Sequence, residues 1–198
     1  PCNVNNYVTF GSFNNFRKIS STVVDVWSKI LTKTNSKLIV KSSMNNREDV
    51  RVKFLNKFSK ELVNKNKIIM IEGQKEKSEH LLMYNDIDVA LDTFPYTGVT
   101  TSFEAIWMGV PVLTMRGHNF TSRCGESINI NCDMEDFIAQ NKNDYIEKAI
   151  NLTKNINYLK SLKKNLRNKA INSSLFKPKE FSKKFYMELK KVWSEKLK

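Results

Sequence analysis

Residues 88–115 read DVALDTFPYTGVTTSFEAIWMGVPVLTM, a lysine-free stretch in a chain that is otherwise rich in Lys and Asn. The apolar run at its start predicts a buried strand, and the Gly/Thr segment that follows predicts a loop leading into a helix. A short helix and a second buried strand, PVLTM, complete the stretch. This order predicts two parallel strands joined by a crossover helix.

The same alternation extends towards the amino terminus. Because the strands are continuously apolar and alternate with helices, they predict a doubly wound, Rossmann-like α/β fold with a parallel sheet and helices on both faces. The predicted strands are NYVTFGSF (6–13), SKLIVKSS (36–43) and NKIIMIEG (66–73), and the predicted helices are 20–34, 46–64 and 75–85.

After Met115 the pattern changes, and we predict a helical carboxyl-terminal tail. We expect one domain over residues 1–198, with a βα core over about 1–132 and the tail over about 133–198. The chain starts at Pro1 without a Met, so we also expect it to be part of a longer polypeptide. A loop and short helix (116–129) follow Met115, and the predicted helices of the tail are MEDFIAQN (134–141), 143–155, 157–173 and 177–197.

Charge and cysteine content limit the classes of function. Lys and Arg number 33 against 20 Asp and Glu, a net charge of +13, but the lysines are spread over most of the chain and indicate a solvated surface. The basic segment 157–172 has no stacking motif beside it, so we expect no nucleic-acid partner. Three cysteines without CxxC spacing favour a reducing, cytoplasmic setting. We see no signal peptide or spanning apolar run and expect no membrane partner.

The loop after the strand DVALDTF is the first candidate site, because ligands of doubly wound sheets bind at the carboxyl ends of the strands. Gly98 is expected to let the backbone turn. Thr100 and Thr101 lead into a helix start, whose free amides and dipole attract an anion such as a phosphate. Glu104, one turn later, is suited to bind the hydroxyls of a ribose. Alternatively, Thr100 is an ordinary helix cap and Glu104 a favourable first-turn acid.

Two other loops reach the same predicted edge. Asn15 and Lys18 follow the first strand, and Lys18 would neutralise a diphosphate as a point charge. Lys77 and His80 follow the third strand and share one helix face, where they would contact a nucleotide base. His118 is a weaker candidate after the fifth strand.

The segment DID at Asp86–Asp88 matches the DxD pattern that binds a metal-nucleotide in some glycosyltransferases. It directly precedes a buried strand and therefore falls at the opposite edge of the sheet. We interpret it as a joint between helix and strand and predict no metal site.

With these segments considered together, the chain resembles the carboxyl-terminal half of the catalytic region of O-GlcNAc transferase/SPINDLY-like glycosyltransferases, especially bacterial, TPR-linked ones. The resemblance rests on GSFNNFRKI, residues 88–115, SRCGES and SSLFKPKEFSKKFYMELKKVW, which extend from about Phe10 to Trp193. It implies one half of a GT-B fold. It also implies that Lys18 contacts the diphosphate with Asn15 beside it, Lys77 and His80 hold uracil, Thr100 and Thr101 cap the phosphates, and Glu104 binds the ribose.

The resemblance predicts the donor-binding half of a metal-independent, inverting transferase that moves a sugar, GlcNAc favoured, from a UDP-sugar to a protein Ser/Thr hydroxyl. No cofactor is expected, and the expected partners are the donor, a protein or peptide acceptor, an amino-terminal GT-B half and TPR repeats. Val99 and Tyr96 replace a His and a smaller residue of the animal members, so glucose remains an alternative sugar. A non-catalytic nucleotide-binding or scaffold domain with a degenerate site also remains open, as do an Asn amide acceptor and a lipid acceptor.

Overall fold

The computed structural model describes residues 1–42, 47–59, 63–73 and 76–197. Its described part contains a six-stranded sheet in the order β3-β2-β1-β4-β5-β6, in which every pairing is parallel. This confirms the predicted doubly wound fold. The strands are β1 (Thr9–Ser12), β2 (Lys37–Ser42), β3 (Ile68–Glu72), β4 (Val89–Leu91), β5 (Val112–Met115) and β6 (Ile138–Ala139).

Helices connect the strands and form the carboxyl-terminal tail. They are α1 (Cys2–Asn5), α2 (Ser21–Lys33), α3 (Glu48–Ser59), α4 (Lys77–Leu82), α5 (Thr100–Trp107), α6 (Phe120–Ile130), α7 (Lys142–Lys154), α8 (Ile156–Asn172) and α9 (Pro178–Lys196). The carboxyl end of the predicted helix 46–64 and the start of the predicted helix 75–85 include residues outside the described part. Within that part, no helix is both long and apolar enough to cross a bilayer.

The apolar core explains why these elements pack together. All four residues of β1 are buried, so both faces of the central strand are covered. The helix α2 begins after Ser20, whose side chain caps it by accepting a hydrogen bond from the Val23 amide. Trp27 on this helix is fully buried. The strand and helix patterns thus bury their apolar faces against one another.

The prediction of a helix over residues 134–141 is wrong. A 3₁₀ turn at Glu135–Phe137 leads into β6, which pairs with the end of β5 through Thr114↔Ile138 and Met115↔Ala139. A strand of two residues is too short for its periodicity to be visible in the sequence. The edge of β5 supplies its pairing partner, so tertiary context determines this strand.

The strand order indicates where a ligand of this fold would bind. β1 pairs with β2 on one side and with β4 on the other, so the chain reverses its winding direction between β1 and β4. In doubly wound sheets the loops leaving two such strands diverge and open a crevice at their carboxyl ends. The loops after β1 and β4 carry the predicted residues Asn15, Lys18 and Gly98.

Candidate functional site

A buried carboxylate organises the loop between β4 and α5. Asp92 follows β4, and its Oδ1 atom accepts hydrogen bonds from the Gly98 amide at 2.7 Å and the Thr93 amide at 2.9 Å. The Asn14 side-chain amide donates to the same oxygen at 3.2 Å, and the Thr114 hydroxyl donates to Oδ2 at 2.8 Å. Asp92 therefore ties the loop after β1, the loop after β4 and strand β5 together.

Gly98 is required by space. A Cβ atom there would lie 2.6 Å from Thr101 Oγ1, 2.8 Å from Ser102 Oγ and 3.0 Å from Asn14 Oδ1. The backbone at Gly98 is outside the left-handed region, unlike that of Gly109 with its φ of 75°. A glycine is therefore needed here because polar side chains approach the backbone closely, and not because the chain makes a left-handed turn, as was expected.

The first turn of α5 presents free backbone donors. Val99 is the residue before the helix and supplies no side-chain cap, so the alternative in which Thr100 caps the helix is wrong. Within the described residues, no acceptor pairs with the amides of Thr100, Thr101 and Ser102. The Thr101 hydroxyl donates to Asn14 Oδ1 at 2.9 Å. Unpaired amides at a helix start, with the helix dipole behind them, form an anion-binding site.

Lys18 lies against this loop. It ends a 3₁₀ turn at Phe16–Lys18, and its Nζ donates to the Thr97 carbonyl at 2.9 Å. The same nitrogen lies 4.2 Å from the centre of the Tyr96 ring. Burial lowers the pKa of Lys18, and the nearby Asp92 carboxylate opposes that shift. Lys18 therefore places a cation beside the loop that leads into the free amides of α5.

Glu104 and His80 belong to one hydrogen-bonded cluster. Glu104 Oε2 lies 2.9 Å from His80 Nε2 and accepts from the Tyr84 hydroxyl at 3.2 Å. Lys41 Nζ lies 2.8 Å from His80 Nδ1. Because an ammonium group can only donate, Nδ1 is the acceptor and Nε2 carries the proton that is donated to Glu104. Glu104 Oε1 has no donor among the described residues and can accept a hydrogen bond from a ligand.

The two groups of residues meet at α5. The Tyr84 hydroxyl is 3.2 Å from the Thr101 carbonyl, while the Thr101 side chain contacts Asn14 on the other side. The ring of Phe13, in the loop after β1, lies 4.6 Å from the Tyr84 ring and 6.2 Å from the His80 ring. Lys18, Thr101, His80 and Glu104 are thus joined by a chain of contacts at the carboxyl edge of the sheet.

Other predicted residues take no part in this chain of contacts. Lys77 is one turn before His80, but its side chain is exposed and has no polar partner in the described residues. Asn15 Oδ1 accepts from the Arg17 amide at 2.9 Å and so has a local capping role. Thr100 is exposed at the start of α5. His118 is exposed after β5 and lines a separate cleft beside α6.

Sequence reasoning missed Asp92, Asn14, Lys41 and Tyr84. The one available signal was Asp92 itself, an acid at the end of a buried strand with no basic residue near it in sequence. Such a carboxylate needs several hydrogen bonds when it is buried, which points to a loop folded around it. Lys41 and Tyr84 gave no comparable signal, because a lysine at a strand end and a tyrosine in a short helix are ordinary surface patterns.

The buried position of Asp92 makes a prediction about pH. Burial raises its pKa from 3.8 to about 6, although each of the four hydrogen bonds lowers it. The folded protein therefore keeps this proton to a higher pH than the unfolded chain does. The stability that results is present below pH 3.8 and is lost as the pH rises through about 6.

Thermal unfolding of the wild type and of Asp92→Asn at several pH values measures this effect. We expect the difference in Tm between the two proteins to shift against the wild type as the pH rises through that window and then to level off. A difference that is constant with pH would show that Asp92 titrates as it does in the unfolded chain.

The arrangement has the chemistry of a site for a nucleoside diphosphate. Free amides and an ammonium group suit phosphates, and a partly free carboxylate suits ribose hydroxyls. In the described part of the chain, no three His, Cys, Asp or Glu side chains are grouped as metal ligands. The DID segment lies at the opposite edge, where the buried Asp88 carboxylate accepts a hydrogen bond from the Thr9 amide at 2.8 Å.

Comparison with known proteins gives a family match over most of the chain. The model of Glycosyl transferase family 41 matches residues 3–185. A "probable UDP-N-acetylglucosamine–peptide N-acetylglucosaminyltransferase SPINDLY" of Solanum lycopersicum is 33% identical over 194 residues, which are 98% of this chain and 21% of that protein. The UDP-N-acetylglucosamine–peptide N-acetylglucosaminyltransferase of Caenorhabditis elegans is 24% identical over 88% of this chain and 15% of its own length. The chain thus spans about a fifth of the SPINDLY protein it matches.

Solved structures match the fold as well. A mutant O-GlcNAc transferase of Thermobaculum terrenum superposes with a TM-score of 0.80 and 30% identity, over 84% of this chain and 32% of that chain. The C-terminal domain of a glycosyl transferase group 1 family protein from Francisella tularensis superposes with a TM-score of 0.61 and 14% identity, over 82% and 83% of the two chains. The second match supports the fold alone.

Proposed function

Because the chain belongs to glycosyl transferase family 41, we propose that it is the donor-binding half of an enzyme that transfers a sugar, GlcNAc favoured, from a UDP-sugar to a Ser or Thr hydroxyl of a protein. The observation that carries the proposal is the uncapped first turn of α5 beside Lys18. The names of the relatives from Solanum lycopersicum and Caenorhabditis elegans support the donor and the peptide acceptor.

The proposed pose follows from the chemistry of the crevice. The diphosphate lies on the amides of Thr100, Thr101 and Ser102, with Lys18 at its side. The ribose hydroxyls donate to the free Oε1 atom of Glu104. The uracil lies beside the His80 ring, and Lys77 reaches it from the exposed end of α4. Thr101 takes part on both sides: its amide contacts the phosphate, and its carbonyl contacts Tyr84, which also binds Glu104. It therefore fixes the distance between the phosphate and ribose positions.

The proposed reaction is a displacement at the anomeric carbon of the sugar. The bond from that carbon to the β-phosphate oxygen breaks, and its electron pair stays on UDP. A bond to the acceptor oxygen forms on the opposite face, which inverts the configuration. Lys18 and the amides of α5 stabilise the charge that develops on the leaving phosphate, so the proposed mechanism needs no metal ion. The acceptor proton goes to a base outside this set of residues.

Two residues bear on which sugar is used. Tyr96 is half exposed and lies under Lys18, while Val99 is exposed at the start of α5. Both flank the position at which the sugar would leave the diphosphate. Because these two residues differ from those of the animal members, glucose is the second candidate sugar. A comparison of UDP-GlcNAc with UDP-glucose as donors decides between the two sugars.

The proposed ribose contact gives a prediction. Wild-type full-length protein should bind UDP about tenfold more tightly than 2′-deoxy-UDP, because hydrogen bonds to a charged group contribute about 1.5–3 kcal/mol. The Glu104→Gln variant should lose most of this difference. Calorimetric titration with both nucleotides measures it, and equal discrimination by the two proteins would remove Glu104 from the ribose site.

The transferase activity itself is tested with the full-length protein and labelled UDP-GlcNAc in the presence of EDTA. We expect release of UDP together with label in protein Ser or Thr residues. UDP release without labelled protein would favour a different acceptor. If the protein neither binds UDP nor releases it from the donor, it is a scaffold domain. Binding of UDP without release would indicate a non-catalytic nucleotide-binding domain.

A further inference from the structure

Two arginines at the carboxyl edge of the sheet share one buried carboxylate. Arg116 directly follows β5, and Arg123 and Glu126 lie one turn apart on α6. Glu126 Oε1 accepts from Arg116 Nε at 2.6 Å, and its Oε2 accepts from Arg123 Nε at 2.9 Å. The Glu126 side chain is 2% exposed, whereas those of Arg116 and Arg123 are 50% and 58% exposed.

This geometry leaves most of each guanidinium group available. Each arginine uses only its Nε for Glu126, and within the described residues no acceptor pairs with the Nη atoms of Arg116 or Arg123. Two positive charges face one negative charge, so the cluster carries a net charge of +1. A shared carboxylate also holds the two side chains in place, which lowers the entropy cost of binding a further anion.

The arginine pair is connected to the proposed donor site. The Thr97 hydroxyl donates to the Thr121 carbonyl of α6 at 2.9 Å, and the Gly125 amide of the same helix donates to that hydroxyl at 3.3 Å. The Thr97 carbonyl in turn accepts from Lys18. Asn119 caps the start of α6 by accepting from the Ser122 amide, and the Nη atoms of the two arginines are further donors at this edge.

An open cleft of about 520 Å³ lies between α5 and α6, and Arg123 of the pair lines it, whereas Arg116 does not. Val99, which directly precedes the first turn of α5, also lines the cleft. Phe103, Phe120, Ile128 and Leu175 form its apolar walls, and His118, Asn119 and Ser127 are polar residues of its lining. A ligand that fills this cleft would need apolar side chains to pack against the cleft walls and a negatively charged group to bind the arginines.

We propose that this cleft and the Arg116–Arg123 pair bind an acidic segment of the acceptor polypeptide, with its apolar side chains in the cleft and an Asp or Glu carboxylate on the guanidinium groups. Guanidinium groups recognise carboxylates through planar, charge-assisted hydrogen bonds. The inference rests on the proposed function, because it assigns the polypeptide as the acceptor. It predicts that the enzyme prefers acceptor Ser and Thr residues that lie near Asp or Glu.

The test uses the full-length protein and two fluorescein-labelled pools of short peptides, random in Ala, Ser, Thr, Leu and Phe. One pool carries Glu and the other carries Gln at the same positions. Fluorescence anisotropy without any donor should give about fivefold tighter binding of the Glu pool, the order expected for a partly exposed ion pair. The double variant Arg116→Gln/Arg123→Gln should lose this preference.

The control variant is Arg51→Gln, which removes an exposed arginine of α3 that forms an ion pair with Glu48. It should keep the full preference. Arg116→Gln alone should lose part of it, and this variant decides the matter if the double variant does not fold. Equal binding of both pools by the wild type, or a preference that survives in the arginine variants, would overturn the inference.

Two further measurements distinguish peptide recognition from small-anion binding and from donor binding. If inorganic phosphate binds to the arginines while the two pools bind equally, the pair takes small anions only and the inference fails. A UDP titration of the same protein tests the proposed function separately, because the peptide measurement requires neither donor nor turnover. If the wild-type protein does not bind UDP but still prefers the Glu pool, the proposed function is overturned and a site for acidic polypeptides remains.

Discussion

Lys18→Ala is expected to lower the kcat of UDP-sugar hydrolysis by full-length protein about 10²–10³-fold, the usual effect of removing one preorganised donor to a developing negative charge. Lys18 Nζ is 2.9 Å from the Thr97 carbonyl and lies beside the start of α5. In the proposed reaction it stabilises the leaving diphosphate. Its effect should therefore fall on kcat more than on KM.

Lys67→Ala is the matched control for this variant. Lys67 is also half-buried, and its Nζ donates to the Leu31 and Thr34 carbonyls at 2.8 Å and 2.7 Å. It precedes β3 and so lies at the opposite edge of the sheet. A similar loss of kcat in both variants would indicate a general structural effect, and near-normal kinetics of Lys18→Ala would remove Lys18 from the mechanism.

Asp92→Ala is expected to have the largest effect on local stability. It would leave the amides of Thr93 and Gly98, the Asn14 side chain and the Thr114 hydroxyl without their shared acceptor. Each buried unpaired donor costs about 1–3 kcal/mol, so we expect amide exchange at Thr93 and Gly98 to accelerate by about 10²-fold or more. UDP affinity should fall with it, because the loop leads into the first turn of α5.

Asp92→Asn separates hydrogen bonding from simple loss of the side chain. Its amide oxygen can still accept from Thr93 and Gly98, so we expect a much smaller change in exchange at these two amides. Hydrogen exchange of both variants, resolved by residue, makes the comparison. Equal protection in Asp92→Ala and the wild type would mean that Asp92 does not hold the loop.

The sequence was sufficient for the fold wherever a pattern was long enough to have a period. The succession of the first five strands along the chain follows from continuous apolar runs that alternate with amphipathic helices. The two-residue strand β6 is stabilised by the edge of β5, and no local pattern encodes it. The short helix α1 likewise has no periodic signal.

For the candidate site, the sequence identified the residues on helix starts and strand ends but not the network beneath them. Thr101 and Glu104 are candidates because Thr101 lies in the first turn of α5 and Glu104 lies one turn later. Asp92 and Asn14 act through contacts between loops that are 78 residues apart in sequence, and such pairing depends on the strand order. Lys77 lies at the start of α4, where its side chain is exposed and has no polar partner in the described residues, so its contact with the base stays a prediction.

The central claim is that amides of α5 and the ammonium group of Lys18 hold a diphosphate without a metal ion. Calorimetric titration of the full-length protein with UDP, in EDTA and again with Mg²⁺, tests this claim most directly. We predict binding of similar affinity in both conditions and a clear loss of affinity in Lys18→Ala. Absence of binding in EDTA, with binding restored by Mg²⁺, would contradict it.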